Sequence, residues 1–265
     1  MIESTLFPVK EYPANYAFNQ EAGISDVNQN TGYKFIVRED TGKVLSCMTD
    51  EYKVVTNQQI VDVASPILAK HKAVLKEAVS LSDGQKTIWK WIIPDKKIKI
   101  AKNDELNPEI IIKNSYDGSL QVNILAGAFR LVCSNGLVIG LTLDKKSFKH
   151  NVNNINLDNI DAQIEKTIEK TYNLADDFEM LSDTKLNENH IVKLIELFPT
   201  QMSEFLVQYL ISKKLKTYWD LLNCATYISS HKMKRTYQST HNLESKLFTN
   251  VSKWAKSSSK NVVLN

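Results

Sequence analysis

Residues 110–140 read IIIKNSYDGSLQVNILAGAFRLVCSNGLVIG. An apolar run, Ile110-Ile111-Ile112, meets a polar turn, Asn114-Ser115-Tyr116-Asp117-Gly118-Ser119, and a second apolar run follows from Leu120 to Leu125. Asp-Gly between two strand-like runs is a strong short-range hairpin signal. Beyond it, Phe129-Arg130-Leu131-Val132-Cys133-Ser134-Asn135-Gly136-Leu137 is an apolar segment interrupted by one arginine and a small polar cluster. None of it spells a catalytic signature.

Working outward, the same grammar recurs upstream. Tyr33–Arg38 and Lys43–Met48 predict strands around Asp40-Thr41-Gly42, and residues 73–81 and 85–93 predict a second pair around Ser82-Asp83-Gly84. Between them Thr56-Asn57 caps a helix over Gln58–Lys70, with Pro66 expected to kink or break it. Pro94–Asn107 reads as an edge strand or extended loop, and residues 1–30 as an irregular arm. Downstream of a charged, asparagine-rich boundary at 144–159 the apolar period becomes helical. Helices are expected at 160–175, 187–197, 200–212, 217–233 and 243–256. The predicted class is α+β: an irregular arm (1–30), a hairpin-rich core with a packed helix (31–145), a helical basic region (146–256) and a tail (257–265).

The 265 residues carry a net charge of +3. Ile211–Lys260 alone carries ten basic residues against Asp220 and Glu244, about +8, which leaves the remainder near −5. Such a lobe is either an electrostatic footprint for a polyanion or a solvated helix face. The amino terminus lacks a basic-then-apolar signal pattern and no apolar run approaches the ~18 residues of a membrane span, so a cytoplasmic protein with no membrane partner is expected. Cys47, Cys133 and Cys224 are then reduced thiols, with Cys133 a buried inert one. Phosphate-loop and dinucleotide fingerprints are missing from the sequence, and His71, His150, His190, His231 and His241 are isolated from cysteine pairs. No catalytic residue, metal or cofactor is accordingly expected, and nothing argues for an enzyme.

Four ordered stretches carry a family resemblance: Tyr52-Lys53-Val54-Val55-Thr56-Asn57, Asn114–Ser119, Arg130–Asn135, and Thr217-Tyr218-Trp219 through Asn223-Cys224-Ala225-Thr226 to His231. Together, over residues 33–240, they resemble the phage- and plasmid-borne domain of unknown function 932. That family shows a similar N-S-x-D-G-S turn, R-x-V-C-x-N segment, Y-x-x-V-x-N and T-x-W-x-x-x-N-A-x-T-x-x-x-x-H. Cys224 stands where the family prefers alanine, and Asp83-Gly84-Gln85 replaces its Gly-Gly-Arg, which removes one arginine from that turn. The resemblance implies a mobile-element protein whose layout is similar to that of single-strand annealing recombinases of the Erf and Rad types.

Two functions are therefore carried forward. The first is a single-stranded-DNA-binding annealing protein, working as a homo-oligomeric ring or filament, with a phage exonuclease or host single-strand-binding protein as further partners. Phosphate contacts would come from Lys86, Lys90, Arg130, Lys145, Lys146, Lys149, Lys232, Lys234 and Arg235. Arg130 would alternatively pair with Asp117. Trp89 and Trp91, which share a face of one strand, would be base-stacking residues or simply the core side of a sheet. The second is an accessory protein that binds a host or virion protein and not nucleic acid.

Overall fold

The computed structural model describes residues 2–16, 29–95, 97–101, 104–120, 122–130, 136–141, 162, 164–166, 168–169 and 174–263. Strands β1 (Val9–Tyr16), β2 (Gln29–Arg38) and β3 (Lys43–Thr49) form an antiparallel three-stranded sheet in sequence order. A six-stranded sheet has the order β4 (Val74–Leu81), β5 (Lys86–Ile92), β7 (Asp104–Ser115), β8 (Asn123–Arg130), β9 (Gly136–Leu141), with β6 (Ile98–Ala101) pairing with β7. The predicted hairpins are present as adjacent strands, β2 with β3, β4 with β5 and β7 with β8. Their turns use Gly42, Gly84 and Gly118 at positive φ. The constraint is tightest at Gly84 (φ +110°), where a Cβ would sit 2.7 Å from Phe7 Cζ.

Three expectations change. The arm over residues 1–30 is not irregular throughout. A 3-10 turn at Glu3–Thr5 and strand β1 occupy it, and Thr5, Phe7 and Ala14 are buried. Pro13 is compatible with this strand because β1 is an edge, where a missing ladder N–H costs little. Pro66 does not break helix α1 (Asn57–Lys70). Proline leaves the carbonyl four residues back without its helical donor, and here Asp62 and Pro66 are both exposed, so water can satisfy it. The tail is helical as far as Val263, as part of α6 (Tyr237–Val263).

Compactness divides the chain into two units, residues 1–91 with 111–124 and 145–165, and residues 92–110 with 125–144 and 166–265. In the first, Phe7, Ile36, Leu45, Tyr52 and Tyr116 form a core cluster. In the second, α2 (Leu174–Asp183), α3 (Asn189–Ile195), α4 (Ser203–Ser212), α5 (Tyr218–His231) and α6 bury Phe178, Leu194, Leu206, Leu222, Phe248 and their neighbours. Phe178 makes edge contacts with Trp219 (5.4 Å) and Phe248 (5.8 Å), which knits α2 to α5 and α6.

Candidate nucleic-acid interface

In the first unit the motif residues converge on a buried polar network. Thr56 caps α1 through a reciprocal capping box with Gln59. The next residue, Asn57, is fully buried. Its amide donates to the Thr5 carbonyl (2.7 Å) and Thr87 Oγ1 (3.0 Å), its Oδ1 accepts from Asn114 Nδ2 (2.9 Å), and its backbone N–H donates to Tyr116 Oη (2.8 Å). Asn114 also donates to the Val55 carbonyl (3.0 Å). Burial pushes the Tyr116 hydroxyl up to about 12. The Asn114–Ser119 motif is thus a fastening for the sheet, with its turn closed by Asp117 accepting from Ser119 N–H and Oγ. Burial works against the Asp117 carboxylate, but Ser119 and the Lys86 ammonium outweigh it and hold the group below the ordinary range.

The strand residues expected to hold DNA are otherwise engaged. Trp89 is 1 % exposed and donates Nε1–H to Thr5 Oγ1 (2.9 Å), so its ring faces the core and cannot stack on a base. Trp91 is half-buried. Lys90 Nζ lies 2.6 Å from Glu77, and Lys86 Nζ lies 3.5 Å from Asp117. Both charges have a carboxylate partner within the fold. Arg130 ends β8, but its side chain lies outside the described residues, as do Lys145, Lys146, Lys149 and Cys133. Lys232, Lys234 and Arg235 are exposed at and beyond the end of α5.

The second unit presents Lys213, Lys214 and Lys216 from the basic stretch of the sequence, joined by Lys185 from outside it. An open groove of about 670 Å³ is lined by Lys185, Lys213, Lys214 and Lys216 together with Asp183, Glu188 and apolar side chains of α3 and α4. All four lysines are exposed. The local fold explains why. Lys185 and Thr217 form an isolated antiparallel bridge, Leu186 N–H donates to the Lys216 carbonyl (2.8 Å), and Tyr218 N–H donates to the Thr184 carbonyl (3.3 Å). Asp220 accepts from the backbone N–H of Lys216 (2.9 Å) and Thr217 (3.0 Å), completing the capping box of α5. The T-x-W motif therefore fixes the lysine loop: Thr217 caps, Trp219 enters the core, and the intervening backbone is tied to residues 184–186. The signal available in sequence was the Lys213-Lys214-x-Lys216 run between two helices.

Beside this groove lies a row of rings. Phe205 and Tyr209 of α4 stack at 5.9 Å, Tyr209 and Tyr227 of α5 at 5.8 Å, and Tyr227 meets His231 at 5.0 Å. Lys213 Nζ stands 5.1 Å from the Tyr209 centroid and Lys232 Nζ 5.7 Å from that of Tyr227.

The bundle is also clasped by His190. Its ring stacks on Trp254 (5.2 Å, 7°), and Nδ1 is 2.5 Å from Tyr218 Oη, which in turn contacts Ser258 Oγ (2.6 Å). Burial, and then Lys193, lower the proton affinity of His190. Above the unfolded-state value near 6.5 both states are neutral and the clasp is intact. As pH falls through that value the unfolded chain takes up a proton that the folded chain resists, so stability declines until folded His190 also titrates. The urea midpoint is expected to drop between about pH 7.5 and 5.5, and His190→Gln should flatten that part of the profile. Identical profiles for the two proteins would show that the clasp does not titrate.

Among the described residues, one face of the three-stranded sheet is exposed. Tyr12 is opposite Phe35, which is opposite Cys47, and Tyr12, Tyr33, Phe35 and Val44 are 42 %, 49 %, 38 % and 47 % exposed. Among the described residues, no three His, Cys, Asp or Glu side chains are grouped to hold a metal, and no helix is long and apolar enough to cross a membrane.

Comparison with known proteins agrees with the motif geometry. Two curated proteins of Escherichia coli (strain K12), UPF0380 protein YfjQ and UPF0380 protein YafZ, are each 46 % identical over 43 residues. That match covers 16 % of this chain and 16 % of each relative's length. No solved structure matches. The family described as "Domain of unknown function (DUF932)" matches residues 44–251, most of the chain and all four motifs, and the chain belongs to it.

Proposed function

We propose that this protein binds single-stranded DNA and promotes annealing of complementary strands, as an oligomer and without catalytic chemistry, in the service of a phage or other mobile element within a bacterial cytoplasm. The observation that carries the reading is the groove with exposed Lys185, Lys213, Lys214 and Lys216 within the basic carboxy-terminal lobe. Ammonium groups on flexible stems hold phosphates as point charges and leave base edges free to pair, which is what annealing demands. The test is a gel shift and annealing assay on complementary oligonucleotides at two salt concentrations, beside light scattering. Salt-sensitive binding, faster annealing and a multimer are expected. A compact species that ignores DNA at low salt would overturn the reading.

The exposed aromatic face of the β1–β3 sheet favours one second reading, an accessory protein that binds a host or virion protein. Contiguous exposed apolar surface of this kind is uncommon without a partner. In that case the wild-type protein would carry a stoichiometric partner through purification, the Tyr33→Ser/Phe35→Ser variant would lose it with its fold intact, and neither would bind DNA.

A further inference from the structure

We infer that the Phe205–Tyr209–Tyr227–His231 strip is a stacking rail for the bases of an unpaired nucleic-acid strand, an inference that rests on the nucleic-acid reading above. The geometry carries it in three steps. First, Phe205 and Tyr209 are inclined by 21° and Tyr209 and Tyr227 by 11°, with centroids 5.9 and 5.8 Å apart. Near-parallel rings in contact are separated by roughly 3.5–4 Å between planes, so these rings are shingled rather than eclipsed, and none is fully covered by the ring next to it.

Second, cations stand over two of the rings. Lys213 Nζ is 5.1 Å from the Tyr209 ring and Lys232 Nζ is 5.7 Å from the Tyr227 ring, and Lys213 also lines the lysine groove. Aromatic faces next to ammonium groups offer a base something to stack on within reach of a donor for its phosphate. Third, the strip runs out to solvent at both ends. Phe205 is 37 % exposed and His231 is exposed, with Tyr209 and Tyr227 half-buried between them.

The ligand chemistry follows from using both features together. Duplex DNA offers phosphates, but its bases are already stacked on one another. An acidic peptide would satisfy the lysines and leave the ring faces without a flat partner. A single strand supplies phosphates and free π-faces at once, and stacking is indifferent to which base arrives, as annealing of arbitrary sequences requires.

The test measures binding of the full chain to labelled oligothymidine and to a duplex of equal length, by fluorescence anisotropy at low and moderate salt. Phe205→Ala/His231→Ala should weaken single-strand binding about tenfold, leaving duplex affinity and the salt slope unchanged. Phe205→Trp should restore or strengthen it, which a merely structural role would not. Lys213→Gln/Lys232→Gln should weaken both substrates and lower the salt slope by about 1–2. Should the alanine pair leave single-strand affinity intact while the lysine changes reduce it, the rail is overturned and the DNA-binding reading stands. If the wild-type chain binds neither substrate, both fall. Competition by polyglutamate as effective as that by oligothymidine would assign the strip to an acidic peptide and overturn the inference.

Discussion

Asn57→Ala is expected to cost about 3 kcal/mol or more and to lower the melting temperature by roughly 6–12 °C. The side chain is fully buried and serves three separate segments. Removing it leaves the Thr5 carbonyl, the Thr87 hydroxyl and the Asn114 amide each short of a partner. An orphaned buried polar group costs about 1–3 kcal/mol, and water has no route to these atoms without separating the segments. The neighbouring Thr56→Ala should cost only about 1 kcal/mol, the ordinary value of a helix cap, although it is one residue away. Urea titration followed by tryptophan fluorescence checks the contrast, with Trp89 as a local reporter through its bond to Thr5. Equal losses for the two variants would mean that the network is not what fastens the sheet.

The second large effect concerns the groove. Changing Lys185, Lys213, Lys214 and Lys216 together to glutamine is expected to reduce single-strand affinity about a hundredfold or more at low salt. The slope of log affinity against log salt should fall by about 3, because each phosphate contact on a single strand contributes about 0.7. All four side chains are exposed, so folding should be unaffected. Lys86→Gln and Lys90→Gln provide the contrast. Their charges are answered by Asp117 and Glu77, and their loss should change stability more than binding. Anisotropy titrations over a salt series decide it. An unchanged slope in the four-lysine variant would place the phosphate contacts elsewhere on the chain.

What the sequence could and could not say follows from the range of each signal. Hairpins at Gly42, Gly84 and Gly118 were legible because a positive-φ turn is a local requirement of a few residues. The capping of α1 and α5 by Thr56 and Thr217 was equally local. The burial of Trp89 was legible only as one of two alternatives, because the partner that closes over its ring, Thr5, is 84 residues away. The ion pairing of the strand lysines was not legible for a related reason. Lys90 is as basic in sequence as Lys214, and only the fold sets Glu77 beside the former. The aromatic strip is two i,i+4 pairs on separate helices, Phe205 with Tyr209 and Tyr227 with His231, invisible as a unit until α4 and α5 meet. Strand β1 was hidden by Pro13 and by a pairing that depends on β2. The family match begins at residue 44, yet Thr5, Phe7 and Ile36 belong to the buried interior, so the folding unit extends upstream of the shared motifs.

The closing of Thr5 over Trp89 also sets an order of assembly during synthesis. Thr5 leaves the ribosome 84 residues ahead of Trp89, an interval of roughly 4–17 s at ordinary elongation rates. Within that interval Phe7 can meet only Ile36, Leu45 and Tyr52 of its core cluster, and the Tyr116 ring that packs on it arrives later still. The nascent segment is therefore the stretch on which a chaperone, or a neighbouring copy on the same message, would act first.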